Sequence, residues 1–186
     1  MPSGGGERSA LVPMEMPLRD GAVLVVQYAK TEHLAVARDL LNSEIELGTS
    51  YPYEETLDEA GFAAYFLSHD AFVCTIEGDV AGIFYMWVLC VCGCYLHTHC
   101  LFSASSKPNF PGRSGHIANG GFVTAPGFRR RGVGRAMGSA HLLIAASLGY
   151  RAVMFNLVYV SNEASLRLWR GLGFKEMATL KGAGRL

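Results

Sequence analysis

Hydrophobic positions along the chain change period several times, and each change marks an element. Ala22–Ala29 (AVLVVQYA) reads as a strand. Thr31 reads as an N-cap, and His33-Leu34 opens a helix to about Leu47, with Leu34, Ala37, Leu41 and Ile45 on one stripe. Gly48–Glu55 is a loop rich in Tyr and Pro, and Leu57–Ser68 predicts a second, short helix. Two apolar runs, Ala71–Ile76 and Val80–Tyr85, flank Glu77-Gly78-Asp79, a hairpin signal. An irregular stretch leads to a strand at His116–Thr124. Arg131–Leu148 follows as a helix, with Val133, Met137, Ala140, Ile144 and Leu148 in line and Gly149 past its end. Arg151–Tyr159 (RAVMFNLVY) reads as a buried strand, Asn162–Arg170 as a short helix and Gly173–Leu180 as a last strand. The order β-α-α-β-β-β-α-β-α-β predicts a mixed α/β sheet in one domain over 21–186, with 1–20 a loose lead-in.

The chain has 186 residues, of which 50% are hydrophobic, enough for one ordinary core. Charged residues are only 17%, which excludes a disordered acidic or basic tail. With 16 basic and 16 acidic side chains, a generic nucleic-acid binder is not expected. The balance is uneven along the chain. Residues 1–86 carry four basic and 14 acidic side chains, residues 87–186 carry 12 and two. Either the second half offers an anion site or the halves neutralise each other. The first 20 residues contain no apolar segment like that of a secretory signal. The five cysteines include four bunched at Cys90, Cys92, Cys94 and Cys100, unlike a disulfide framework. A reducing, intracellular setting is the expectation, cytoplasmic or mitochondrial.

The informative segment runs from Phe122 to Arg135 (FVTAPGFRRRGVGR). A strand ends at Thr124, and a loop of Gly and Arg opens the long helix. The helix start offers free N–H groups and a positive dipole end. Gly132 and Gly134 lack Cβ atoms and let a ligand approach the backbone, while the arginines add charge. This is a cradle for a pyrophosphate. It is neither the dinucleotide fingerprint nor a P-loop. The pattern Arg-x-x-Gly-x-Gly, Arg129 to Gly134, resembles the acetyl-CoA-binding motif of the GCN5-related N-acetyltransferase (GNAT) superfamily. Ser161–Phe174 (SNEASLRLWRGLGF) resembles that family's Asn-x-Ala…Leu-Gly-Phe segment. The resemblance implies the GNAT fold, a mostly antiparallel central sheet flanked by helices, with acetyl-CoA as co-substrate and no metal. It implies cofactor contacts from Phe122, Val123, Thr124, Arg129, Arg130, Arg131, Gly132, Val133, Gly134, Arg135 and Asn162.

Lys107–Arg113 (KPNFPGR) with His116–Phe122 (HIANGGF) resembles a fungal branch that acetylates the ring nitrogen of L-azetidine-2-carboxylate and proline-related metabolites. That branch is tied to proline-analogue detoxification and oxidative stress. By that resemblance Asn119 and Asn156 are the catalytic and substrate-binding residues, with Phe122 also against substrate and Asn162 on the pantetheine arm or substrate. The partners implied are a small amine and CoA, with no nucleic acid or membrane and with homodimerisation common in the family. The family's strand bulge would fall at Gly120-Gly121. A general base is not evident, because the strand 116–124 holds no carboxylate. Trp169 stands where the family has a tyrosine as leaving-group acid, and an indole does not protonate a thiolate; Tyr159 is a substitute.

Two stretches depart from the family. Residues 86–106 (MWVLCVCGCYLHTHCLFSASS) form an atypical Cys/His-rich insertion. It reads as a segment foreign to the fold, such as a translated intron, or as a lineage-specific loop. A zinc site or a membrane span through 80–106 would instead make this a metal-binding or membrane-inserted protein. Relatives also continue past Leu186 through another strand. Both departures keep a degenerate, CoA-binding pseudoenzyme in play.

Overall fold

The computed structural model describes residues 8–68, 70–87, 110 and 112–184. A six-stranded sheet follows chain order: β1 (Met14–Pro17), β2 (Val23–Tyr28), β3 (Asp70–Ile76), β4 (Asp79–Trp87), β5 (Ile117–Thr124) and β6 (Ala152–Val153). Neighbours from β1 to β5 are antiparallel; β5 and β6 are parallel. Helices α1 (Leu34–Leu47) and α2 (Glu59–Phe66) cover one face. Helix α3 (Val133–Ser147) covers the other, and α4 (Glu163–Gly171) packs beside it.

Strand alternation sends successive side chains to opposite layers. Leu24, Val26, Phe72, Phe84 and Ala118 pack on Met137, Ala140 and Ile144 of α3. Val73, Ile83 and Val123 pack on Ala37, Leu41 and Ile45 of α1 and on Phe62 and Phe66 of α2. The predicted stripes of α1 and α3 are therefore the buried ones. The β3–β4 hairpin turns where expected, with positive φ at Glu77 (53°) and Gly78 (93°), the geometry of a tight two-residue turn.

Four expectations are corrected. Residues 14–17, inside the expected lead-in, form β1 on the edge of the sheet, because their backbone pairs with β2. Thr31 is not an N-cap but starts a short 3-10 turn ahead of α1. The strand expected over Arg151–Tyr159 pairs only at Ala152 and Val153, held by one neighbour, and then leaves the sheet. Its apolar run misled because Met154, Leu157 and Val160 are exposed. The strand expected over Gly173–Leu180 does not form. No described strand offers it a ladder, and Met177 and Leu180 are 83% and 78% exposed. Among the described residues no helix is long and apolar enough to cross a membrane, and no cluster of three His, Cys, Asp or Glu residues could hold a metal. The Cys/His-rich segment, beyond Met86 and Trp87, lies outside the described residues.

Candidate active site

The site follows from where β5 and β6 part. They pair at Ile117 with Ala152 and Ala118 with Val153, and Met154 N still donates to Ala118 O at 2.9 Å. Beyond that point no described strand lies opposite Phe122–Thr124 on the β6 side. The main-chain groups on that edge are therefore available to an extended ligand. A cleft of about 1320 Å³ opens there. It joins the arginine loop and the start of α3 to the Asn119–Gly121 stretch and the tyrosines of the α1–α2 face.

The loop end of the cleft is built by α3's N-terminus. Gly132 caps the helix with φ of 91°, a left-handed conformation that favours glycine, and no side chain caps the first turn. The N–H groups there remain for an anion. Gly134 lies against the β5 end: a Cβ on it would stand 3.7 Å from Thr124 Oγ1 and 3.5 Å from Leu168. Residue identity and space therefore fit a pyrophosphate with an extended arm.

The four arginines do different things. Arg130, at φ of 64°, lines the cleft, and among the described residues no hydrogen bond or ion pair engages it. Arg129 lines the cleft and pairs with Glu44 of α1. Arg135 lines it but donates to Gly171 O at 3.0 Å, tying α3 to the end of α4. Arg131 lies apart from the cleft lining: it donates from Nε to Asp20 at 2.7 Å and lies over Phe128. That guanidinium holds the Asp20 carboxyl below its ordinary range. The uneven charge along the chain is thus partly matched across the fold, at Glu44–Arg129 and Asp20–Arg131, and partly left for a ligand at Arg130.

Asn119, Phe122, Val123, Thr124, Asn156 and Asn162 all line the same cleft. Asn119 Oδ1 accepts from Gly120 N at 2.8 Å. Asn162 caps α4, its Oδ1 accepting from Ser165 N at 3.1 Å. Asn156 is exposed, just beyond the two-residue β6. Phe122 faces α3, opposite to Asn119. Its ring lies 5.5 Å from Phe84 and 4.9 Å from Trp169 between centroids. Trp169 also stacks near Phe155 at 4.4 Å and Phe174 at 5.4 Å, so the residue at the family's tyrosine position is a packing wedge.

The expected bulge is absent. β4 and β5 stay in register from Gly82–Thr124 to Trp87–Asn119. The glycine pair provides room instead. A Cβ at Gly120 would come within 2.7 Å of His141 Nε2 and 2.5 Å of Tyr85 O. A Cβ at Gly121 would collide with Tyr85 Oη and approach Tyr51 Oη at 2.6 Å. His141, on α3, is 1% exposed; its Nε2 has no hydrogen-bond partner among the described residues. Burial pushes its pKa down to about 4, so the ring is neutral.

Sequence reasoning missed two contributors. Glu44, on the otherwise ordinary helix α1, brings a carboxylate to the cleft, accepting also from Ser50 Oγ at 2.8 Å. Tyr51, Tyr53, Tyr65 and Tyr85 bring their rings together from a loop, α2 and β4. The Tyr- and Pro-rich loop was the visible signal for the first two.

Known proteins share this fold. Residues 34–174 match the acetyltransferase (GNAT) family. The N-acetyltransferase aca1 of Schizosaccharomyces pombe is 33% identical over 84% of this chain and 74% of its own length. A GCN5-related N-acetyltransferase from Kribbella flavida superposes with a TM-score of 0.72, at 25% identity, covering 87% of this chain and 88% of that one. The fold is shared too by yncA from Salmonella typhimurium, solved with its cofactor acetyl-CoA (TM-score 0.70, 16% identity, 88% of this chain, 86% of that one). Family match, sheet and arginine loop agree, and the chain belongs to the GNAT family of acetyltransferases.

Proposed function

We propose that this acetyltransferase moves an acetyl group from acetyl-CoA to the ring nitrogen of a small cyclic imino acid, azetidine-2-carboxylate or a proline-related metabolite. In that role it would inactivate a toxic proline analogue. The observation that carries the reading is the single cleft joining the arginine loop to the Asn119–Gly121 face of β5.

Acetyl-CoA supplies the acyl carbon as an activated thioester. Arg130 and the uncapped N–H groups of α3 would bind its pyrophosphate, and the open edge at Phe122–Thr124 would pair with its amide-bearing arm. Asn119 and Asn156 would orient the acceptor amine, since an amide directs hydrogen bonds without titrating. Catalysis then rests mainly on positioning. The acceptor end supports a small neutral or zwitterionic substrate. The cleft's two carboxylates, Glu44 and Glu163, are paired with Arg129 and Arg167. Among the described residues that leaves no uncompensated acidic charge in the cleft to draw in a lysine-rich peptide.

The test is CoA release from acetyl-CoA with azetidine-2-carboxylate, with the N-acetyl product identified by mass spectrometry. Acetylation of a peptide but not of the imino acid would overturn the acceptor assignment. CoA binding with no turnover on any amine would make the chain a pseudoenzyme.

A further inference from the structure

Under Gly121 four tyrosines meet. Tyr65 and Tyr85 are joined hydroxyl to hydroxyl by a very short hydrogen bond. Tyr51 extends the contact from Tyr85, and Tyr53 extends it from Tyr65. The rings brace one another edge-on, Tyr53–Tyr65 at 5.5 Å and Tyr65–Tyr85 at 5.4 Å between centroids. The order is Tyr51–Tyr85–Tyr65–Tyr53. The inner end touches the space that a Cβ on residue 121 would fill, on the face of β5 shared with Asn119. The outer end, Tyr53, is half-buried between exposed Pro52 and Glu54.

The acceptor amine must lose a proton, and β5 holds no carboxylate to take it. The carboxylate of Glu44 acts electrostatically on Tyr51, at the inner end of this chain of hydroxyls. Its oxygens are already engaged by Arg129 and Ser50. We propose that the hydroxyl chain Tyr51–Tyr85–Tyr65–Tyr53 is the exit path for the acceptor's proton, running from Gly121 to water at Tyr53. This rests on the acetyltransferase reading above and adds the route that its chemistry lacks. The balance is simple. The amine nitrogen keeps its electron pair as it loses H⁺ to the first hydroxyl. Each oxygen passes its own proton on as it receives one, and Tyr53 releases one H⁺ to water. No phenolate accumulates. Burial raises the pKa of Tyr51, Tyr53 and Tyr65, so the chain works as a concerted relay and not as a standing base.

Tyr65→Phe breaks the chain in its middle while keeping the ring and its packing. The experiment follows CoA release against pH for wild type, Tyr65→Phe and Tyr53→Phe, with azetidine-2-carboxylate and with an alanine-terminated peptide as acceptors. The expected result is a kcat loss of roughly 100-fold at pH 7 in Tyr65→Phe. The KM for acetyl-CoA should stay unchanged, and the loss should shrink as alkaline pH delivers the amine already deprotonated. Tyr53→Phe should repeat the pattern. A loss that is the same at every pH, or an unchanged profile in either variant, overturns the relay. If wild type acetylates only the peptide, the imino-acid reading falls and the relay is read on the peptide. If it acetylates neither amine, both fall.

Discussion

On one face of β5, Gly120 lies over the buried imidazole of His141, among the rings of Phe84, Phe122, Phe155 and Trp169. On the other face, Gly121 lies over tyrosine hydroxyls bonded to one another. The two glycines are adjacent and alike in sequence, yet each leaves out a Cβ for a different neighbour. The α3 face is apolar and shape-filling, and His141 Nε2, without a hydrogen-bond partner among the described residues, is neutral. Beneath Gly121 the α1–α2 side is apolar but for a line of tyrosine hydroxyls, with the Glu44–Arg129 ion pair beside Tyr51. A packed aromatic layer holds the strand still; a satisfied hydroxyl network leaves protons mobile along it.

The comparison is broken most severely at Gly121. Gly121→Ala drives a methyl group into Tyr85 and Tyr51 hydroxyls, and turnover should fall more than about 100-fold. Affinity for acetyl-CoA, measured by calorimetry, should stay near that of wild type, because the arginine loop is untouched. A second test sharpens the α3 face by pH. His141 titrates near 4 in the fold and near 6.5 when unfolded, so the unfolded state binds the proton more readily. Its contribution is complete above pH 6.5 and is lost as pH falls towards 4, by about 3 kcal/mol. Urea unfolding of His141→Phe should flatten that fall relative to wild type.

Gly120→Ala probes the same face sterically. Its methyl group meets Tyr85 O and His141 Nε2, and overpacking there should cost about 1–3 kcal/mol in urea midpoint stability. Unlike Gly121→Ala, its main effect should be on stability rather than on turnover. The smallest effects come from the loop, where neighbours again differ. Arg130→Ala should raise the KM for acetyl-CoA about tenfold, the loss of one charge-assisted contact. Arg131→Ala should leave that KM within about twofold, because its partner is Asp20 on the protein's own surface.

How much of this was legible beforehand varies with the range of the signal. The α1 and α3 stripes, the Glu77-Gly78 turn and the Arg-Gly entry into α3 are local patterns, and each lies where the sequence put it. The overlong strand after Gly149 was misread because a run such as AVMFNLVY has the composition of a buried strand. Whether it is one depends on a neighbour on its second side, and composition carries no such information. β1 was missed for the converse reason: MEMP has little strand character alone and is a strand because β2 lies beside it.

The amino-acid sequence by itself determined the order of most elements, the family and the arginine-glycine loop at one end of the cleft, since those rest on residues close in the chain. Only the tertiary structure decided that Arg131 lies apart from the cleft lining while Arg130 stays in the cleft, and that Glu44 meets Arg129. It alone decided that tyrosines from a loop, a helix and a strand bring their hydroxyls together under Gly121. Contacts between distant residues depend on the relative placement of whole elements, which packing fixes and no local pattern encodes.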